Sequence, residues 1–134
     1  MVHQGPIPYF AHQAADYLLA ALLIAAPFLL GFSDSGAATA VSIVAGVIVL
    51  VMAASTDGPL SLIDAIPIPV HIVGDVALGV LLIASPFLFG FSDDGGATAF
   101  FIVVGIVELL MVIATAFPRE SRERLRGGRD ARPA

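Results

Sequence analysis

The 134-residue chain has no cysteine and no tryptophan, and its basic residues are confined to one end. Without cysteine there is no disulfide, no thiolate metal ligand and no cysteine nucleophile, and the redox compartment stays open. Lysine is absent, and all six basic residues are arginines: Arg119, Arg122, Arg124, Arg126, Arg129 and Arg132. Residues 1–117 therefore hold no permanent cation. They offer only His3, His12 and His71 against Asp16, Asp34, Asp57, Asp64, Asp75, Asp93, Asp94 and Glu108. Charged residues make up 13% of the chain, where an ordinary soluble domain has about 25%. Too few polar side chains exist to cover a water-facing surface, which argues against a free-standing soluble enzyme. No nucleophile–base–orienter set, phosphate-cradling glycine loop or zinc-ligand spacing is present. The expectation is a protein that is not an enzyme, with no assigned metal or cofactor.

What is abundant is apolar: 58% of the residues are hydrophobic. Four stretches, at about 14–32, 37–54, 70–91 and 97–117, approach the roughly 20 apolar residues that cross a bilayer. The first and third can begin earlier, near Pro8 and Pro67, since proline costs nothing in a first helical turn. Runs this long without polar alternation do not suit lipid-facing barrel strands. Helices satisfy their own backbone groups, as hydrocarbon demands. The fold class expected is all-α, a four-transmembrane-helix bundle. The arginines place the C-terminal tail in the cytoplasm, and four spans put the N-terminus there too. The turns 33–36 and 92–96 then face outward and the loop 55–69 inward. Tyr9 and Tyr17 fall near the inner interface, and Phe28, Phe32, Phe87, Phe89 and Phe91 near the outer one. The N-terminus lacks a positive stretch, so no cleaved signal peptide is expected. Beside so apolar a body, the tail reads as an anchor on anionic lipid rather than a nucleic-acid arm.

The chain is also duplicated. Shifted by 59 positions, residues 7–57 align without a gap to 66–116, with 26 identities in 51 positions. His12 meets His71, Asp16 meets Asp75, and Pro27-Phe28-Leu29 meets Pro86-Phe87-Leu88. Gly31-Phe32-Ser33-Asp34 meets Gly90-Phe91-Ser92-Asp93, and Ala38-Thr39-Ala40 meets Ala97-Thr98-Ala99. Apolar composition alone does not align histidine, aspartate, proline and glycine together. The organisation read from this is an N-terminal segment 1–7, a repeat 8–57, a linker 58–66, a repeat 67–117 and a tail 118–134. Each repeat holds two spans, so both enter the membrane the same way round. They form two tandem parallel two-helix units about an axis along the membrane normal.

Several residues stand out against the apolar ground. Pro27 and Pro86 fall late in the first helix of each repeat, where each frees a carbonyl and kinks the helix, and Ser85 can bond a nearby carbonyl. Ser33-Asp34 and Ser92-Asp93 are read as caps for the second helices, with Gly36 and Gly95 allowing the reversal. His12 with Asp16, and His71 with Asp75, are spaced i, i+4 on one helix face. The simplest reading is a repeated polar clasp that satisfies itself. Proton relay, a shared metal ion and haem ligation between His12 and His71 are the alternatives. Glu108 lies near the middle of the fourth span opposite Val49 of the first repeat, and an intramembrane carboxyl is a functional candidate by default. Small residues at spacing four, Ala38, Ser42 and Gly46, mark a close helix contact. Phe101 interrupts the matching stripe, which suggests that one copy faces its twin and the other a partner.

The stretch Ala84-Ser85-Pro86-Phe87-Leu88-Phe89-Gly90-Phe91-Ser92 resembles the SPW-repeat family of small prokaryotic membrane proteins. The family's repeat has two transmembrane helices, with a Ser-Pro-Trp motif late in the first. A Gly-aromatic-Ser turn and an Ala-Thr-Ala-like start to the second helix follow. The resemblance covers residues 12–57 and 71–116. Phe87 stands where the family has tryptophan, and the first copy reads Ala26-Pro27-Phe28. The resemblance implies a fold and a location, the prokaryotic cytoplasmic membrane, but no mechanism. Size and the lack of catalytic chemistry suggest an accessory or structural subunit, in a respiratory or photosynthetic assembly. Its partners are expected to be lipid, other membrane subunits or copies of itself, and no nucleic acid. The alternatives are a small proton or ion conductor using His12, Asp16, His71, Asp75 and Glu108, and a haem or quinone binder through His12 and His71.

Overall fold

The computed structural model describes residues 5–117; the arginine-rich tail lies outside the described residues. Four helices follow one another: α1 (Tyr9–Leu29), α2 (Gly36–Ser55), α3 (Ile68–Leu88) and α4 (Gly95–Ala114). At 20 or 21 residues each, and about 1.5 Å per residue, each helix is about 30 Å long. All four are long and apolar enough to cross a membrane. The bundle is all-α apart from two-residue strands β1 (Ile7–Pro8) and β2 (Thr115–Ala116). Exposed Leu18, Leu29, Val73 and Ile113 are typical of its outer face, which suits lipid.

The first and third helices start early, capped by Pro8 and Pro67, and both run through an internal proline, Pro27 or Pro86. Each stops on a left-handed glycine, Gly31 at φ 76° and Gly90 at φ 73°. The next amide folds back, Phe32 N–H onto the Pro27 carbonyl at 3.0 Å and Phe91 N–H onto the Pro86 carbonyl at 2.9 Å. This helix stop needs glycine, and it corrects the sequence reading of the turns. Gly36 and Gly95 do not make the reversal; they are the first helical residues. Nor do Ser33, Asp34, Ser92 or Asp93 cap the helices. Ser35 Oγ accepts from Ala38 N–H at 3.3 Å, and Asp94 Oδ1 from Ala97 N–H at 3.0 Å. A cap reaches the amide three residues on, and only Ser35 and Asp94 stand at that distance from a helix beginning at Gly36 or Gly95.

Within each hairpin the helices touch backbone to backbone. A Cβ at Gly46 would strike the Ala20 carbonyl and Leu23; one at Gly105 would strike the Gly79 carbonyl and Ile83. Both small-residue stripes therefore face their own hairpin partner, against the expectation that one turns outward. The serines near the prolines act differently in the two copies, and only the first meets the carbonyl that its proline frees. Pro27 has no N–H for the Leu23 carbonyl, and Ser42 Oγ donates to that oxygen across the hairpin. In the second copy Ser85 Oγ donates to the Leu81 carbonyl of its own helix at 2.6 Å, and Phe101 stands where the first copy has Ser42.

The two hairpins meet at both ends. At the turn end Phe101 packs on Phe91 and, across hairpins, on Phe32, with ring centroids 5.0 and 6.2 Å apart. At the opposite end, where α1 begins and α4 finishes (the termini end), β1 pairs in parallel with β2 through Ile7↔Thr115. The pairing Thr56↔Ile66 is the same contact seen from the other copy, since Ile7 matches Ile66 and Thr56 matches Thr115. The contacts obey the duplication in both directions, so the hairpins are related as parallel copies.

Candidate functional site

The buried ionisable residues of the body gather at the termini end. His12 and His71 lie three residues into α1 and α3, and Asp16 and Asp75 one turn deeper, about 10 Å along the helix axis from its start. All four side chains are buried, at 0% to 5% exposure. The i, i+4 spacing puts each pair on one face, and the packing of α1 near α3 turns both faces toward one point.

The pairing that results crosses between copies. His12 Nε2 lies 3.1 Å from Asp75 Oδ2, and His71 Nε2 lies 3.1 Å from Asp16 Oδ2. The pairs within one helix exist as well, His71 to Asp75 at 3.1 Å and His12 to Asp16 at 3.5 Å. The expectation of two separate clasps, each closed on itself, is therefore corrected: the four residues form one alternating His-Asp-His-Asp ring. The spacing of a single helix shows only the i, i+4 partner. The ring needs the second copy at contact distance.

Two threonines that the sequence reading passed over complete the site. Thr115 Oγ1 lies 2.8 Å from His12 Nδ1, and Thr56 Oγ1 lies 2.7 Å from His71 Nδ1. Each hydroxyl donates its one proton to a carbonyl a turn back, Thr56 to Met52 and Thr115 to Met111, both at 2.6 Å. A hydroxyl has one hydrogen, so each threonine must accept from the histidine, and each Nδ1 carries a proton. The signal was in the duplication, because Thr56 and Thr115 are repeat mates and end their helices at the depth of the histidines.

Glu108 belongs to the same neighbourhood. It is buried in α4, six residues before the helix ends, and its carboxyl faces Asp75. The loop between α2 and α3 closes the site from the termini side. Tyr9 hydroxyl donates to the Asp57 carbonyl, Tyr17 hydroxyl to the Leu60 carbonyl, and Leu60 N–H to Gln13 Oε1. Gly58 has no Cβ where one would strike the Gln13 amide. Pro27, Ser85, Pro86 and the turn residues stand at the far end of the bundle and take no part.

The donor atoms of His12, Asp16, His71 and Asp75 lie within 4.8 Å of one another, close enough to share a metal ion. The two imidazoles face the same two carboxylates.

No curated protein and no solved structure matches the chain. The model of the SPW repeat domain matches residues 10–115, which takes in both hairpins, both aspartates, both histidines and both threonines. The chain belongs to the SPW repeat family.

Proposed function

We propose that the protein is a non-catalytic accessory or structural subunit of the prokaryotic cytoplasmic membrane, packing through its apolar surface against other membrane helices. Both termini are assigned to the cytoplasmic side, on the strength of the arginine tail. One observation favours this reading over conduction. The buried ionisable groups, His12, Asp16, His71, Asp75 and Glu108, end in the termini half of the bundle, while the turn half is closed by buried Phe32, Phe91 and Phe101. A conductor needs polar or wettable lining along the whole crossing, and the buried polar side chains of the turn half, Ser42 and Ser85, are spent on backbone carbonyls. The outer surface is then where the protein acts. Along α3 it includes a shallow apolar groove with Val73, Ala77, Val80 and Ala84 in its lining, and at the two alanines a second helix can come close.

The test is gentle solubilisation of native membranes followed by native electrophoresis. The expected result is co-migration with defined membrane proteins in an assembly larger than the chain. Migration as a solitary monomer overturns the reading. Liposome flux of protons or cations tests the conductor in parallel: flux abolished by Glu108→Gln or Asp75→Asn supports conduction, and its absence removes it.

A further inference from the structure

We propose that His12, Asp16, His71 and Asp75 are a four-ligand site for one divalent first-row transition-metal ion, with zinc the ion that the donor set suits. This goes beyond a packing role and does not depend on it.

The first support is hydrogen accounting. Thr56 and Thr115 spend their hydroxyl protons on the Met52 and Met111 carbonyls and so accept from the histidine Nδ1–H groups. A neutral imidazole protonated at Nδ1 presents a bare lone pair at Nε2. Both Nε2 atoms point at carboxylate oxygens, which are also acceptors. Acceptors facing acceptors in a buried ring require something positive among them. A histidine held through its outer N–H while its other nitrogen binds metal is the usual support for such a ligand.

The second support is distance. Three of the His–Asp contacts, through Asp75 Oδ2 and Asp16 Oδ2, are 3.1 Å, and the fourth, through Asp16 Oδ1, is 3.5 Å. These lengths are near the edge of a tetrahedron with zinc–ligand bonds of about 2.0–2.1 Å, which is about 3.3–3.4 Å; the four donor atoms lie within 4.8 Å of one another, so the ring must contract around an ion for all six edges to reach that length. Two imidazoles and two carboxylates are zinc-type ligands, whereas magnesium and calcium select oxygen donors alone.

The third support is charge. Residues 1–117 contain no lysine or arginine, so neither aspartate has a permanent cation in the body of the chain. The ring's own two carboxylates and two neutral imidazoles leave two negative charges, which one divalent ion balances; the Glu108 carboxyl beside Asp75 lies outside this count. The competing arrangement fills the ring with protons, as two imidazolium–carboxylate pairs, and takes no ion.

The experiment uses the full chain without a histidine tag, purified in mild detergent and stripped with a chelator. Cobalt(II) is titrated in and followed by visible absorption. The expected result is one cobalt per chain, with the intense d–d bands of a tetrahedral site, displaced by zinc. Asp16→Asn and His71→Gln should each weaken binding at least 100-fold. Thr56→Val, which removes only the support behind a ligand, should weaken it by about 10- to 100-fold. A wild-type spectrum that stays that of the hydrated ion overturns the proposal in favour of the proton-filled ring. So does the same affinity in a His12→Gln/His71→Gln double variant, which would place the cobalt elsewhere. The wild-type titration, with zinc-dependent thermal stability beside it, decides the matter even where a variant does not fold.

Discussion

The two repeats agree where they meet and differ where each stands alone. Histidine, aspartate and threonine recur in both copies because the ring at the shared axis, with the threonines behind it, takes one of each from either side. Away from the axis the copies part. The first has Ser42 and Ala26, the second Phe101 and Ser85; the first has Val49, the second Glu108. A single carboxyl suffices beside the ring, and Phe101 of one copy completes the plug that Phe32 and Phe91 begin at the turn end. A duplicated fold is therefore held to its symmetry only by groups that both halves must supply.

Breaking the shared centre should have the largest effect. Asp75→Ala removes the oxygen that both histidines face, and a buried ionic network that loses one partner is destabilised by about 3–5 kcal/mol. Thermal unfolding in detergent should show the loss, and Asp16→Ala should match it within experimental scatter. A large difference between them would mean that the copies do not share one ring.

The backbone contacts come next. Gly105→Ala should cost about 1–3 kcal/mol by overpacking, because its Cβ meets the Gly79 carbonyl, and Gly46→Ala should cost slightly less, its nearest backbone contact being longer. The same unfolding measurement checks the order.

Glu108→Val copies the first repeat onto the second. It replaces a buried carboxyl facing another carboxylate with an apolar side chain, and should stabilise the fold by about 1–2 kcal/mol. A destabilised variant would show that the ring uses Glu108. The smallest effects belong to the serines. Ser42→Ala should cost about 0.5–1 kcal/mol, and Ser85→Ala less, because the Leu81 carbonyl keeps its helical bond. Adding Pro27→Ala, which returns an N–H to the Leu23 carbonyl, should make Ser42→Ala nearly neutral; a double-mutant cycle measures that coupling.

The helices were legible to within a few residues, because each is an apolar run ended by glycine, and Pro8 and Pro67 marked the early starts. The caps were misplaced by one or two residues. Ser33, Asp34, Ser92 and Asp93 are as good capping types as Ser35 and Asp94, and only the exact helix start separates them. The ring's four residues were visible as i, i+4 pairs. Thr56 and Thr115 were not, because a threonine at a helix end is unremarkable until a histidine 15 or 103 positions away lies beside it. The outward stripe failed for a similar reason. Gly46 and Gly105 have the same hairpin partner face whatever residue sits between the small positions.

The amino-acid order alone determined that the chain threads lipid as helices and that its halves point alike. Hydrocarbon leaves a backbone no other partner than itself, and two spans per copy fix the direction. Only the packed bundle decided that each histidine also meets the other copy's aspartate. That contact is set by how near α1 comes to α3, a distance that no spacing within one helix encodes.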